Sequence, residues 1–381
     1  MSDTKIKKLI AETFLEVADA LETGQYGKQP VIGFASEGSE HGEDNIERAM
    51  ELAAAKGLKA VLIKGEDIHK DMEKMLDSGE IDAAVTMHYP FPIGVSTVGK
   101  VITPGIGKAM YIATTTGTSD TDRVCGMVKN AIYGIIAAKA EGIENPTVGI
   151  ANIDGARQTE KALLKLAEQG YDINFAQSAR ADGGIVMRGN DLLAGTPDIM
   201  VMDSLTGNLM MKIFSAYTTG GSYESLGFGY GPGIGDGYGR LIMIVSRASG
   251  APVIAGAMEF ATNLVKHNWK AVADAEFAKA KKAGLDAILD EIRSAGKKEA
   301  AAEETVVAPP KEICTDQIPG IEVMDLEDAV KALWKAGIYA ESGMGCTGPI
   351  VLMAADKKER AYEILKRSEE RRVGKECRSR W

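Results

Sequence analysis

A repeating alternation organises most of this 381-residue chain: a short aliphatic run, a turn, then apolar residues at helical spacing, then another aliphatic run. Val31–Ala35 is the first buried-strand run, and Ile46, Ala49, Met50 and Ala53 follow it as one helical stripe. Residues 59–63 and Ala83–Thr86 read as further strands, with a helix near 68–76 between them. Strands separated by helices return in the same direction, so this order predicts a mostly parallel sheet covered by helices.

The alternation resumes after a long predicted helix over 121–139. Residues 146–151, 173–176, 198–202 and 241–245 read as strands, and 158–168, 205–217, 258–266 and 272–294 as helices. An amphipathic helix precedes the first strand, carried by Ile6, Leu9, Ile10, Phe14, Val17 and Leu21. Residues 227–239 (GFGYGPGIGDGYG) are so rich in glycine that they read as a surface loop, functional or mobile.

These elements predict a Rossmann-like body over residues 1–296, with a second lobe at about 141–260. Residues 297–311 (KKEAAAEETVVAPPK) read as a linker. A small C-terminal α/β module follows over 312–366, with a strand near 322–323, a helix over 326–336, a loop at 343–349, a strand over 350–354 and a helix over 357–366. Residues 367–381 (RSEERRVGKECRSRW) are basic and aperiodic and resemble a translated sequencing adapter, so they read as an artefactual tail.

That tail carries six Lys/Arg and three Asp/Glu; the formal net charge of −10 therefore becomes −13 for the remainder. Such a balance argues against a nucleic-acid partner, which would need a clustered basic face. Apolar runs such as 241–245 are far too short to span a bilayer. The first ten residues, MSDTKIKKLI, show no secretory pattern, and Cys125, Cys314 and Cys346 are few and widely spaced. A cytoplasmic location without disulfides is the expectation.

Three stretches carry candidate chemistry. Cys346 sits in Gly343-Met344-Gly345-Cys346-Thr347-Gly348-Pro349, where glycines permit close backbone approach and N–H groups favour a thiolate or an oxyanion. A thiol there can carry an acyl group; a small structural cysteine in a tight turn is the alternative. Asp203-Ser204-Leu205-Thr206-Gly207-Asn208 follows a strand and opens a helix, where α/β sheets bind ligands, with Lys212 one turn on. Asn208 is the candidate donor to a phosphate or acyl oxygen; a capped helix start accounts for the pattern equally well.

The glycine-dense stretch, with Arg240 at its edge, is the third, as a phosphate cradle or as a plain loop. It lacks the Gly-Lys-Ser/Thr ending of a P-loop. Residues 36–43 (SEGSEHGE) also lie between a strand and a helix, but their carboxylates oppose an anion and favour helix capping. His41, His69, His88 and His267 are scattered and no CxxC or HExxH occurs, so no metal is expected, and neither early strand is followed by GxGxxG, so no nicotinamide cofactor is expected.

Residues 145–221 resemble phosphate:acyl-carrier-protein acyltransferases through VGIANI (148–153), INFAQSARADGG (173–184) and DSLTGNLMMK (203–212). Where that family typically has Asp-Gly-Phe-Thr-Gly-Asn, this chain has Asp-Ser-Leu-Thr-Gly-Asn, keeping Asp203, Thr206, Gly207 and Asn208. Residues 1–366, the GMGCTGP loop included, are similar to the component C alpha subunit of the glycine/sarcosine/betaine reductase complex of anaerobic amino-acid-fermenting bacteria.

That resemblance implies a three-layer α/β/α body of the phosphate acyltransferase and isocitrate-dehydrogenase-like type. It implies that Cys346 carries an acetyl group, flanked by Gly345, Thr347 and Gly348. A carboxymethylated selenoprotein A would load it, a ketoacyl-synthase-like beta subunit would complete the component, and inorganic phosphate, as co-substrate, would release acetyl phosphate. Gly345, Thr347, Gly348, Asp203, Thr206, Gly207, Lys212 and Arg240 are the expected substrate- or phosphate-binding residues, and Cys346 and Asn208 the expected catalytic ones. Two other readings stay open: a free-standing acyltransferase using acyl-carrier protein or coenzyme A, and a non-catalytic scaffold.

Overall fold

A computed structural model describes residues 6–7, 10–11, 13–15, 17–18, 21, 29–181, 183–302, 307–319, 326–345 and 348–366. The chain separates into two compact units, Met1–Arg293 and Ser294–Trp381. The expected tail, the expected strand near 322–323, Cys346 and Thr347 lie outside the described residues.

The first unit opens as the alternation predicts: β1 (Val31–Ala35), α1 (Gly42–Ala55), β2 (Lys59–Leu62), α2 (Ile68–Ser78) and β3 (Ala83–Thr86). β1 pairs in parallel with β2 on one side and β3 on the other. Next come β4 (Val95–Ile102), β5 (Ala109–Thr118), α3 (Arg123–Ala140), β6 (Thr147–Ala151), α4 (Ala156–Glu168), β7 (Asn174–Phe175), β8 (Val186–Met187), α5 (Gly189–Ala194), β9 (Ile199–Val201) and α6 (Ser204–Ala216). β10 (Gly231–Ile234), β11 (Ile242–Ile244), α7 (Ala251–Lys266), α8 (Trp269–Lys282) and α9 (Leu285–Ala302), which belongs to this unit as far as Arg293, complete the series.

Among the described residues these strands form one 11-stranded sheet, ordered β2-β1-β3-β11-β10-β4-β5-β9-β6-β7 with β8 also on β6. Side chains alternate between its faces. Ile32, Phe34, Ile199 and Val201 point into a core shared with α1, α3, α4 and α7, whereas Ala35, Met200 and Met202 point into a second core with Met72 of α2 and Met211 and Phe214 of α6. That is a three-layer α/β/α architecture. α3 is apolar nearly all round and buried, packed on β5 and β9 between α4 and α8.

The sheet holds two parallel sets that run in opposite directions. β2, β1, β3 and β11 form one set; β5, β9, β6, β7 and β8 form the other. The antiparallel strands β10 and β4 join them. Gly231 pairs with Ile244 at the end of β11 and packs on Val98, and Ala113 pairs with both Val98 and Val201 at the end of β9. The carboxyl ends of the two sets therefore meet on one line across the sheet. Turns leaving both sets open there, the position where α/β sheets hold ligands.

Four expectations are corrected. The glycine-dense stretch is not a mobile surface loop: its centre is β10, buried throughout in mid-sheet. Glycine is required for close packing, since a Cβ on Gly231 (φ +87) would stand 1.7 Å from the Val98 carbonyl oxygen, and one on Gly233 would stand 2.4 Å from the Phe91 ring. The helix expected over 272–294 is two helices, broken at Gly284 with φ 86. The expected linker starts as helix, because the alanine-rich KKEAAA segment continues α9 to Ala302. The hairpin of β4 and β5 was not anticipated at all.

The fourth correction lies in the second unit. β12 (Asp316–Pro319), β14 (Gly348–Met353) and β13 (Ala340–Gly345) form an antiparallel sheet in that order. α10 (Leu326–Lys335) and a helix over 358–366 cover it around Leu333, Val351, Met353 and Ala361. The expected loop over 343–349 is mostly strand, with Met344 opposite Pro349 and Gly345 opposite Gly348.

Candidate functional site

β9 delivers the chain to Asp203, the N-cap of α6. Its Oδ1 accepts from the backbone N–H groups of Leu205 (3.1 Å) and Thr206 (3.0 Å), while Oδ2 accepts from the Thr206 hydroxyl (2.7 Å) and Arg123 (3.0 Å). Burial alone would push this carboxyl up, but the Thr206 N–H and hydroxyl and the Arg123 charge outweigh it and hold it below the ordinary value. Asp203 and Thr206 thus build the start of the helix. Gly207 sets the helix against the sheet, since a Cβ there would lie 1.8 Å from the Thr114 carbonyl oxygen.

This close seating brings the next turns of α6 to the line of strand ends. The Asn208 amide donates to the Thr115 carbonyl at 3.0 Å. Lys212, one turn on, donates to Glu224 Oε1 at 3.3 Å and Ser246 Oγ at 3.2 Å. Both residues line a cleft of about 390 Å³. Its other walls come from the turns of the opposed strand set: Glu40 after β1, His88 after β3, and Ser246 and Arg247 after β11. Tyr230 backs it; burial and then the Glu224 charge raise its phenol far above the ordinary value, so it stays a protonated donor.

The β1–α1 turn is tied to the β11–α7 turn. The Glu40 N–H donates to the Arg247 carbonyl at 2.9 Å, and the Ala251 N–H to Asn45 Oδ1 at 2.7 Å. The Arg247 side chain is exposed, and among the described residues its guanidinium makes no hydrogen bond or ion pair. The cleft therefore holds one braced cation, Lys212, and one uncommitted cation, Arg247. Two positive groups and an amide face one carboxylate, Glu40, around this concave space at strand carboxyl ends, a balance that suits a small oxyanion.

A larger cleft, about 410 Å³, lies elsewhere in the same unit between α3, α8 and α9. Its cations are already neutralised: Lys129 pairs with Asp120 at 2.6 Å, Arg293 with Asp120 at 2.7 Å, and Lys281 with Asp236. Size favours this cleft; available charge favours the other.

Of the residues singled out in sequence, the structure brings Asn208 and Lys212 into the cleft and places Asp203, Thr206 and Gly207 beneath it. Arg240 lies elsewhere: it precedes β11, away from that strand's carboxyl end, and is held by Asp77 (3.0 and 2.8 Å) and Glu73 (3.1 Å). Gly345 and Gly348 belong to the hairpin of the second unit, and Cys346 and Thr347 are outside the described residues. Sequence reasoning missed His88, Glu224, Tyr230, Ser246 and Arg247. For Arg247 a signal existed, since it lies two residues past the strand run 241–245. Among the described residues no group of three or more His, Cys, Asp or Glu is placed to hold a metal ion, and no helix is long and apolar enough to cross a membrane.

Comparison with known proteins agrees in direction. The family model described as fatty acid synthesis protein matches residues 19–352. The glycine/sarcosine/betaine reductase complex component C subunit alpha of Peptoclostridium acidaminophilum is 60% identical over 382 residues, covering 96% of this chain and 98% of that protein. A phosphate acyltransferase of Acetivibrio thermocellus is 30% identical over 130 residues, 33% of this chain and 34% of its own length. One from Thermotoga maritima is 27% identical over 172 residues, 41% of this chain and 50% of its own.

Proposed function

This chain belongs to the fatty acid synthesis protein family and, within it, to the component C alpha subunits of glycine/sarcosine/betaine reductase complexes, and from that premise we propose that its cleft transfers an acetyl group from a thioester to inorganic phosphate. The supporting observation is that Asn208, Lys212 and Arg247, whose guanidinium has no partner among the described residues, line one cleft where both strand sets terminate.

The chemistry asks little of the protein beyond placement. A phosphate oxygen attacks the thioester carbonyl, a tetrahedral oxyanion forms, the C–S bond breaks, and the thiolate leaves acetyl phosphate behind. Lys212 and Arg247 neutralise the attacking phosphate, and Asn208 stands by the developing oxyanion. Cys346 carries the thioester, a carboxymethylated selenoprotein loads it, and a beta subunit related to ketoacyl synthases completes the assembly.

The test runs the reaction backwards in arsenate, which diverts any acetyl thioester to an unstable acyl arsenate. Acetyl phosphate should decay faster with the protein than with its Lys212→Ala variant, the beta subunit being present in both. Equal decay would remove the cleft from the reaction.

A further inference from the structure

Glu224 is the least expected residue near the cleft. Its side chain is 3% exposed, yet it carries a carboxylate, and burial of an unpaired charge is strongly unfavourable. The backbone fixes it from both sides, since its N–H donates to the Ala248 carbonyl at 3.0 Å and its carbonyl accepts from the Gly250 N–H at 2.8 Å. Its Oε2 accepts from Ser249 Oγ at 2.7 Å, and its Oε1 accepts from the Tyr230 hydroxyl at 3.0 Å and from Lys212 Nζ at 3.3 Å. Ser249 Oγ in turn accepts from the Ser246 N–H at 3.0 Å, and Ser246 Oγ accepts from Lys212.

Every route through this network ends at one ammonium. Lys212 is 52% exposed, on a long flexible stem that would otherwise sample many rotamers. Here the Glu224 carboxylate, the Ser246 hydroxyl and the Tyr230 ring, 5.9 Å from Nζ, hold it on one side of the cleft. Arg247, which also lines the cleft, has no such brace among the described residues. We propose that Glu224 is a positioning residue that fixes Lys212 as the rigid half of an anion clamp, with Arg247 as the half that closes on the anion. The inference rests on the reading of this cleft as the phosphate site.

A double-mutant cycle on the full chain, read by calorimetric titration with inorganic phosphate, tests it. Glu224→Gln keeps the shape and removes the charge; it should weaken phosphate binding about tenfold, equivalent to about 1.4 kcal/mol. In a Lys212→Met background the same change should alter binding less than about twofold, because Glu224 then has no ammonium to hold. Tyr230→Phe, which removes only the hydroxyl donated to Glu224, should repeat the pattern with a smaller loss and covers the case in which Glu224→Gln does not fold. Equal factors in both backgrounds, or no loss on Glu224→Gln, would overturn the positioning role while leaving the phosphate site standing. Absence of phosphate binding by the unaltered chain would overturn the site itself, and the inference with it.

Discussion

Two clefts of nearly equal size lie in the first unit, and they differ in what their charges are doing. In the cleft of about 410 Å³ between α3, α8 and α9, Lys129, Lys281 and Arg293 all face carboxylates. In the cleft of about 390 Å³ at the strand ends, Lys212 is braced but half-exposed and Arg247 is uncommitted. Arg247, with no partner among the described residues, can bind an anion without giving one up, so the smaller cleft is the better receptor even though Lys212 is itself paired with Glu224. Charge availability, not volume, separates an anion site from a hole in the surface.

The comparison can be broken most easily at Lys212. Lys212→Ala should lower arsenate-dependent decay of acetyl phosphate by about 100-fold, the range expected when a charged group serving the transition state is lost. Arg247→Met is the next largest; it should weaken inorganic phosphate about tenfold in a calorimetric titration while leaving thermal unfolding nearly unchanged, since the Arg247 guanidinium has no partner among the described residues. Arg293→Met, in the other cleft, should change phosphate affinity less than about twofold and cost under about 1 kcal/mol of stability, because that arginine is partly exposed. A large loss of phosphate affinity in Arg293→Met would reverse the assignment of the two clefts.

The smallest effect is in pH dependence. Burial pushes the Asp120 carboxyl up, but Lys129, the Asp122 N–H and Arg293 outweigh it and hold the carboxyl below its ordinary value. A depressed carboxyl contributes stability above its unfolded value, near pH 4, and loses it as pH falls through the folded value. The melting-temperature gap between the unaltered chain and Arg293→Met should therefore narrow as pH drops below about 4. A gap that widens on acidification would contradict the ion-pair account of that cleft.

The sequence-level reading succeeded where one periodicity dominates. β1, β3 and β9 are continuous buried runs, and the Asp203 cap is legible because a strand, a capping residue and a helix occur in order. It failed where tertiary packing decides. β10 is a strand because Val98 and Phe91 leave room only for glycine at 231 and 233, which local composition reads as a loop. Both faces of β4 are buried, so no alternation marks it. Arg240 and Arg247 flank the same strand, and only its direction within the sheet tells which end meets the cleft. Glu224 carries no local signal, because its side-chain partners lie 6 to 25 residues away.

The central claim, an acetyl group exchanged between phosphate and a thiol of this chain, is tested most directly by mass. The chain ended at Lys366 is incubated with acetyl phosphate and the beta subunit, and peptides spanning Cys346 are weighed. The account predicts an acetyl adduct on Cys346 that arsenate removes, that Cys346→Ser lacks and that Lys212→Ala forms far more slowly. No adduct on Cys346, or one that forms equally fast without Lys212, would contradict it.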